Sequence, residues 1–303
     1  MHSPTPATRA NGLEFGEWLK LARPKQWVKN LLVAAAPIAA GVILEPRVLG
    51  WTILALVCFC LAASATYMVN DVLDVDGDRA HPTKRTRPVA SRAISSRAAI
   101  GVAVLLALVA TFLPAVLGNI PLMFVIFGYL VLQAAYVLRL KHEAVLDVAC
   151  IAGGFLLRAI AGGTAANVPI SHAFLIVVGF GSLFMAIGKR YSEIVSHDQG
   201  AALTRKSLAN YTPGYLRTIM TISAAVTLVA YVLWAFEIDN ADEGSIAFAA
   251  LSVIPFTLAM MRYAKNIEEA KAEAPEDVLL GDPILAALGI VWFLLFVGQV
   301  LQA

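Results

Sequence analysis

NDVLDVDGDRAHPTKRTRP, residues 70–88, sets four aspartates and then four cations between two long apolar stretches. Charge at that density beside an oily run is expensive unless something uses it. The flanking stretches decide what kind of chain this is. Hydrophobic residues make up 59% and charged residues 15% of the sequence, where a soluble domain runs near half and about a quarter. A membrane span takes roughly 20 mostly apolar residues. Nine segments fit, at about 27–44, 49–69, 98–117, 119–138, 145–165, 172–189, 217–235, 246–262 and 283–301. Tight turns separate the pairs at Gly118–Asn119 and Thr164–Ser171. The first 21 residues hold no apolar signal core, so no cleaved leader is expected ahead of the first span.

The distribution of cations fixes an expected orientation. With the N-terminus on the cytoplasmic side, the inner loops receive every Lys and Arg of the 23 except Arg47, which lies outside, and Arg158, which lies within a span. The longest outer loop, FEIDNADEG, is acidic. Such asymmetry is what the positive-inside rule requires. The expectation is an all-α membrane protein of nine transmembrane helices, N-terminus cytoplasmic and C-terminus outside. Residues 1–22 form a cytoplasmic segment, and 23–303 form one polytopic domain. The net charge of +2 is then no sign of nucleic-acid binding, because orientation and anionic lipid headgroups account for the cations. Homo-oligomer formation stays open. Cys58, Cys60 and Cys150 all fall within spans and read as small packing residues.

The second span ends in ATYMVND, and helical continuation strings Asn70, Asp74 and Asp78 at i, i+4 and i+8, with Asp71 three residues before Asp74. Oxygen-bearing side chains crowded at one helix end repel each other unless a cation sits among them. Hard oxygen donors suit Mg²⁺, which completes its shell with water and substrate phosphates. Downstream, Lys84, Arg85, Arg87 and Arg92 suit the phosphate oxygens that the metal leaves free. The blander account is a solvated loop carrying topology charges, with Asp76 the bystander. Segregation of acids from cations, and the helical spacing of the acids, favour the site.

Here the chain resembles the UbiA-type intramembrane transferase superfamily. N-D-x-x-D-x-x-x-D after the second of nine spans is similar to that family's first aspartate-rich motif, and LARPKQWVKN resembles its R-P-x-x-W/Q opening. The resemblance implies a helical bundle around a central cavity open to the cytoplasm. It also makes Asn70, Asp71, Asp74 and Asp78 the magnesium and diphosphate ligands, with Asp71, Asp74 and Asp78 carrying the catalysis. Prenyl-transferring members have a second aspartate-rich motif after span six. This chain reads GKRYSEIVSHD there, with Lys189, Arg190, Tyr191, Glu193 and Asp198. One metal cluster facing adjacent cations suits one diphosphate plus a second anionic partner. KRYSE and YVLRLKHEAVLDVACIAGGFLLRAIAGG resemble the branch that moves phosphoribose from phosphoribosyl diphosphate to a long polyprenyl phosphate, decaprenyl phosphate in mycobacteria. That implies a magnesium-dependent phosphoribosyltransferase of the bacterial plasma membrane, with its site facing the cytoplasm and its product feeding cell-wall arabinan synthesis.

Other charged residues are candidates of a second rank. Lys25 and Lys29 stand at the base of span one, where headgroup anchoring and phosphate binding both fit. Arg139 and Lys141 flank the exit of span four. Asp147 and Arg158 are eleven residues apart, hence on one face of span five. Asp147, near the mouth, is the better substrate contact, while Arg158 reads as a structural ion pair or hydrogen-bond hub. The span-five glycines read as close-packing residues, and Asp282 before Pro283 as a helix cap. Two other functions compete: a prenyl diphosphate-dependent aromatic prenyltransferase of quinone synthesis, and a transporter. The missing second acidic motif opposes the first. A transporter would gather its ionisable groups near the midplane, whereas these crowd one rim.

Overall fold

The computed structural model describes residues 15–198, 210–239, 248–270, 272, 278 and 281–302. Among the described residues every regular element is helical. In chain order these are α1 (15–22), a 3₁₀ run Pro24–Ala34, α2 Ala35–Ala39, α3 Pro46–Leu73, α4 Val75–Ala80, α5 Ser96–Val116, α6 Ile120–Leu138, α7 Leu146–Ala166, α8 His172–Asp198, α9 Pro213–Asp239, α10 Phe248–Glu268 and α11 Pro283–Gln302. Short 3₁₀ turns at Lys84–Thr86 and Leu140–His142 carry cations.

The helix ends follow local chemistry. Pro46 opens α3 at a position whose N–H would have no partner. Ser95 Oγ accepts from Ala98 N (3.2 Å) at the start of α5, and Asn119 Oδ1 from Leu122 N (3.0 Å) at the start of α6. Gly118, at φ 96°, makes the tight turn between those two helices. Asp282 Oδ1 accepts from the N–H groups of Ile284 and Leu285, the expected cap of α11. Its other oxygen ties α10 down through Arg262 (2.7 Å) and Asn266 (2.8 Å).

Six described helices are long and apolar enough to cross a membrane: Pro46–Leu73, Ser96–Val116, Ile120–Leu138, Leu146–Ala166, His172–Ser196 and Pro213–Phe236. Their outer faces carry exposed large side chains such as Leu105, Phe112, Phe124, Phe127 and Leu233, a belt suited to hydrocarbon and unsuited to water. The first expected span differs from the expectation. It is a 3₁₀ run followed by a five-residue helix. Pro37 has no N–H to return to the carbonyl of Val33, so an α-type bond is lost there. That carbonyl packs instead against α7, where a Cβ on Gly162 would overlap it. The expected role of the span-five glycines in close helix packing is met at this position.

α7 is the axis of the bundle, touching the 3₁₀ run, α2, α3, α6 and α8. On one side Val33, Ala55, Phe59, Leu122, Ile126, Tyr129 and Ala161 form a core. On the other, Val148 joins Phe184, Ile187, Leu216, Met220, Tyr263 and Ile267 of α8, α9 and α10. Charged side chains at the α7 N-terminus therefore stand where the two halves meet.

Candidate active site

The acid-rich stretch is built where α3 stops. α3 ends at Leu73, Asp74 adopts φ −91°, ψ 6°, and α4 resumes at Val75. The backbone bonds Asp74 N to Asn70 O (2.9 Å) and Asp78 N to Asp74 O (2.8 Å) carry the helical register across the joint. The side chains do not stay on a single face, however. They divide into two pairs, each closed on a cation. Arg87 Nη1 donates to Asp71 Oδ1 at 3.1 Å and to Asp78 Oδ2 at 2.7 Å. Lys141 Nζ donates to Asp74 Oδ1 at 2.7 Å and to Asn70 Oδ1 at 3.3 Å. Arg23 Nη2 adds a second contact to Asp71 Oδ1 at 2.5 Å.

Burial grades the acids. Asp71 and Asp78 are buried, while the Asp74 side chain is 39% exposed. Asp76 is exposed and, among the described residues, pairs with Arg79 on its own helix. Of the other cations, Lys84 is half-buried, and Lys25, Arg85 and Arg139 are exposed; none of these four makes an ion pair among the described residues. Lys29 donates to Gln26 Oε1 (2.5 Å). Arg92 stands at φ 68° in the loop before α5.

The donor chemistry fits magnesium. Among the described residues no three His, Cys, Asp or Glu side chains converge tightly enough to hold a metal by themselves. Magnesium does not need that: one or two carboxylates suffice when substrate phosphates complete the octahedron. Asp71 with Asp78, and Asp74 with Asn70, each already aim two hard oxygens at one positive charge. Those four residues would hold the ion.

A second cluster lies across the N-terminus of α7. Arg190 Nε donates to Asp147 Oδ2 at 2.8 Å and Nη1 to Glu193 Oε2 at 2.9 Å, and both Arg190 and Asp147 have 0% exposure. Tyr211 Oη donates to Asp147 Oδ1 at 2.6 Å and accepts from Val145 N at 2.6 Å. Val145 itself sits at φ 70°, an unusual conformation for a β-branched residue. Burial, then the bond to Asp147, push the Tyr211 phenol well above its ordinary pKa. Arg190 Nη2 is buried without a partner among the described residues. Asp147 and Arg190 are paired with each other and link α7 to α8, while Glu193 holds Arg190 from its own helix. Tyr191 is likewise engaged, its hydroxyl donating to Glu268 (2.8 Å) and accepting from Arg217 (2.6 Å). Lys189 is half-buried beside them, and the side chain of Asp198 lies outside the described residues.

Arg158 is the hydrogen-bond hub the sequence suggests, but its partner is not Asp147. Its nitrogens reach Asn30 Oδ1 (2.7 Å), Gly154 O (2.8 Å) and Tyr129 Oη (3.0 Å). Its guanidinium lies over Tyr129 at 4.8 Å. Sequence reasoning missed Arg23 beside the acids and Tyr211 in the buried cluster. Arg23 had a signal, since it opens the R-P-x-x-W motif. Tyr211 had none.

Helices with lipid-suited outer faces and one rim of interlocked acids and cations define a polytopic membrane protein with a polar working end. The chain belongs to the UbiA prenyltransferase family, whose profile matches residues 31–281. It is 43% identical over 290 residues to a decaprenyl-phosphate phosphoribosyltransferase of Corynebacterium glutamicum, spanning 95% of this chain and 86% of that one. It is 46% identical over 278 residues to the protein of the same name in Mycobacterium tuberculosis, spanning 90% and 91%. Among solved structures, a UbiA homolog from Archaeoglobus fulgidus bound to GPP and Mg²⁺ matches with a TM-score of 0.70 at 20% identity, over 95% of this chain and 100% of that one. That last likeness concerns the fold.

Proposed function

We propose that the protein transfers 5-phosphoribose from phosphoribosyl diphosphate to a polyprenyl phosphate, releasing pyrophosphate. The observation that carries this is 43% identity across 95% of the chain to a relative named decaprenyl-phosphate phosphoribosyltransferase. The rim supports it, with oxygen donors for a metal diphosphate and further cations for a second anion. In this reading nine helices cross the bacterial plasma membrane, with the N-terminus and a cavity on the cytoplasmic side and the C-terminus outside. The product serves cell-wall arabinan synthesis.

Asn70, Asp71, Asp74 and Asp78 would hold magnesium with the donor diphosphate. Bound there, the ion supplies Lewis-acid neutralisation of the leaving pyrophosphate. Arg23 and Arg87 fix the carboxylates of Asp71 and Asp78, so the donor meets a pre-ordered surface. Lys84 and Arg85 grip the remaining phosphate oxygens, and Lys189 and Arg139 draw in the acceptor phosphate. An acceptor oxygen forms the bond to ribose C1 while the C1–O bond to pyrophosphate breaks, with oxocarbenium character at C1. The acceptor phosphate is ionised at neutral pH, so no general base is needed. In-line displacement inverts the anomeric centre, α in the donor and β in the product. The protein's task is to hold two anions within reach of each other.

The test uses purified protein, magnesium, phosphoribosyl diphosphate labelled in the ribose, and polyprenyl phosphate. Label should enter the lipid fraction. If label stays in water while prenyl diphosphate and an aromatic acid react, the protein is an aromatic prenyltransferase and this reading is wrong.

A further inference from the structure

We propose that Lys141 couples metal binding to donor binding: its ammonium competes with magnesium for Asp74 and Asn70 and, once displaced, turns to the donor diphosphate. This rests on the reading that the acid-rich helix end holds a magnesium diphosphate. Lys141 reaches the acids from the 3₁₀ turn after α6, 67 residues along the chain from Asp74. Its side chain is only 12% exposed, and Nζ lies 2.7 Å from Asp74 Oδ1 and 3.3 Å from Asn70 Oδ1. Two of the four oxygen donors are thereby already satisfied by a positive charge.

The two cations compete for Asp74 Oδ1 and Asn70 Oδ1. Magnesium takes its ligands at about 2.0–2.1 Å. An ammonium bonded to the same Asp74 oxygen would stand within roughly 4 Å of a dication, where like charges repel strongly. One must leave, and Lys141 is built to do so. Its charge is compact and rides on a flexible four-carbon stem. Arg87 is held differently, bridging two buried carboxylates, with Arg23 beside it on Asp71. The acid facing Lys141 is also the most exposed of the three candidate carboxylates. A displaced ammonium gains a new anion when the diphosphate arrives with the metal. Metal alone meets resistance, whereas metal with donor does not.

Arg139, two residues away on the same turn, is exposed and makes no ion pair among the described residues. It provides a charge-matched control. The experiment measures binding of Mn²⁺ alone by the electron paramagnetic resonance of free Mn²⁺, in detergent-solubilised full-length protein. Lys141→Met should tighten Mn²⁺ binding by roughly three- to tenfold, the range expected on removing a part-buried ion-pair partner. It should also weaken phosphoribosyl diphosphate binding at saturating Mn²⁺. Lys141→Arg and Arg139→Met should both leave Mn²⁺ affinity within twofold of wild type. A purely structural lysine predicts weaker metal binding in Lys141→Met, and that result overturns the proposal. Equal tightening in Arg139→Met overturns it too, since a general field would then suffice. Asp74→Asn separates the two levels: if that variant binds Mn²⁺ as well as wild type does, the metal reading itself is wrong. If Asp74→Asn loses Mn²⁺ while Lys141→Met changes nothing, only the coupling fails.

Discussion

Two charged clusters stand at opposite ends of one short segment, residues 141–147, and they behave as different materials. Lys141 joins the acids of α3, where Asp74 is 39% exposed and Arg87 26%. Asp147 joins Arg190, and neither has any exposure. The first cluster is graded, with Asp74 partly open and Asp71 and Asp78 buried. The second is dry and cross-linked through Tyr211 and Glu193, so its charges hold helices. Ion pairs in one protein thus divide by solvent access.

The comparison breaks most easily at Arg190. Arg190→Met leaves the buried Asp147 carboxyl with Tyr211 and a backbone N–H as its remaining partners among the described residues. Severing one partner of a buried pair costs about 3–5 kcal/mol, read as a fall in thermal unfolding temperature in detergent. The double variant Arg190→Met/Asp147→Asn should recover part of that loss. Asp74→Asn should do the reverse. Phosphoribosyl transfer should fall about a hundredfold to a thousandfold, roughly 3–4 kcal/mol in transition-state stabilisation. Stability should change by no more than about 1 kcal/mol, as for other exposed pairs. Large losses of both stability and transfer in each variant would erase the distinction between the two clusters.

The sequence makes one of these clusters far more legible than the other. Spans such as Ser96–Val116 and Ile120–Leu138 follow from apolar length, capping residues and Gly118. The acids were visible because all of them lie within nine residues, and local spacing is what a sequence displays. Their partners were not. Arg87 is 16 residues from Asp71, Arg23 is 48 and Lys141 is 67 from Asp74, so their contacts depend on the tertiary fold. Helical periodicity placed Asp147 and Arg158 on one face but could not say what packs against it. Asn30 and Tyr129 take Arg158, and Arg190 of the next helix takes Asp147. The packing at the end of the 3₁₀ run has a similar cause. Pro37 frees the Val33 carbonyl, and Gly162, far along the chain, gives it a place to pack.

The finest test of the dry cluster is Tyr211. Its hydroxyl spans two jobs, donating to Asp147 and accepting from the N–H of Val145. Tyr211→Phe should cost about 1–2 kcal/mol, the scale of a hydrogen bond to a charged group, with phosphoribosyl transfer reduced less than threefold. The sign of its pH dependence is fixed by the direction of the shift. Burial and the bond to Asp147 raise the phenol's pKa in the folded protein, while the unfolded chain releases that proton near pH 10. The folded state therefore binds the proton more tightly than the unfolded state does. Tyr211's contribution is complete below about pH 10 and drains away as pH climbs towards the folded value. Wild type should lose stability above pH 10 more steeply than Tyr211→Phe, and the two unfolding curves should converge as the solution becomes more alkaline. Parallel curves across that range would mean that neither burial nor Asp147 holds the phenol protonated.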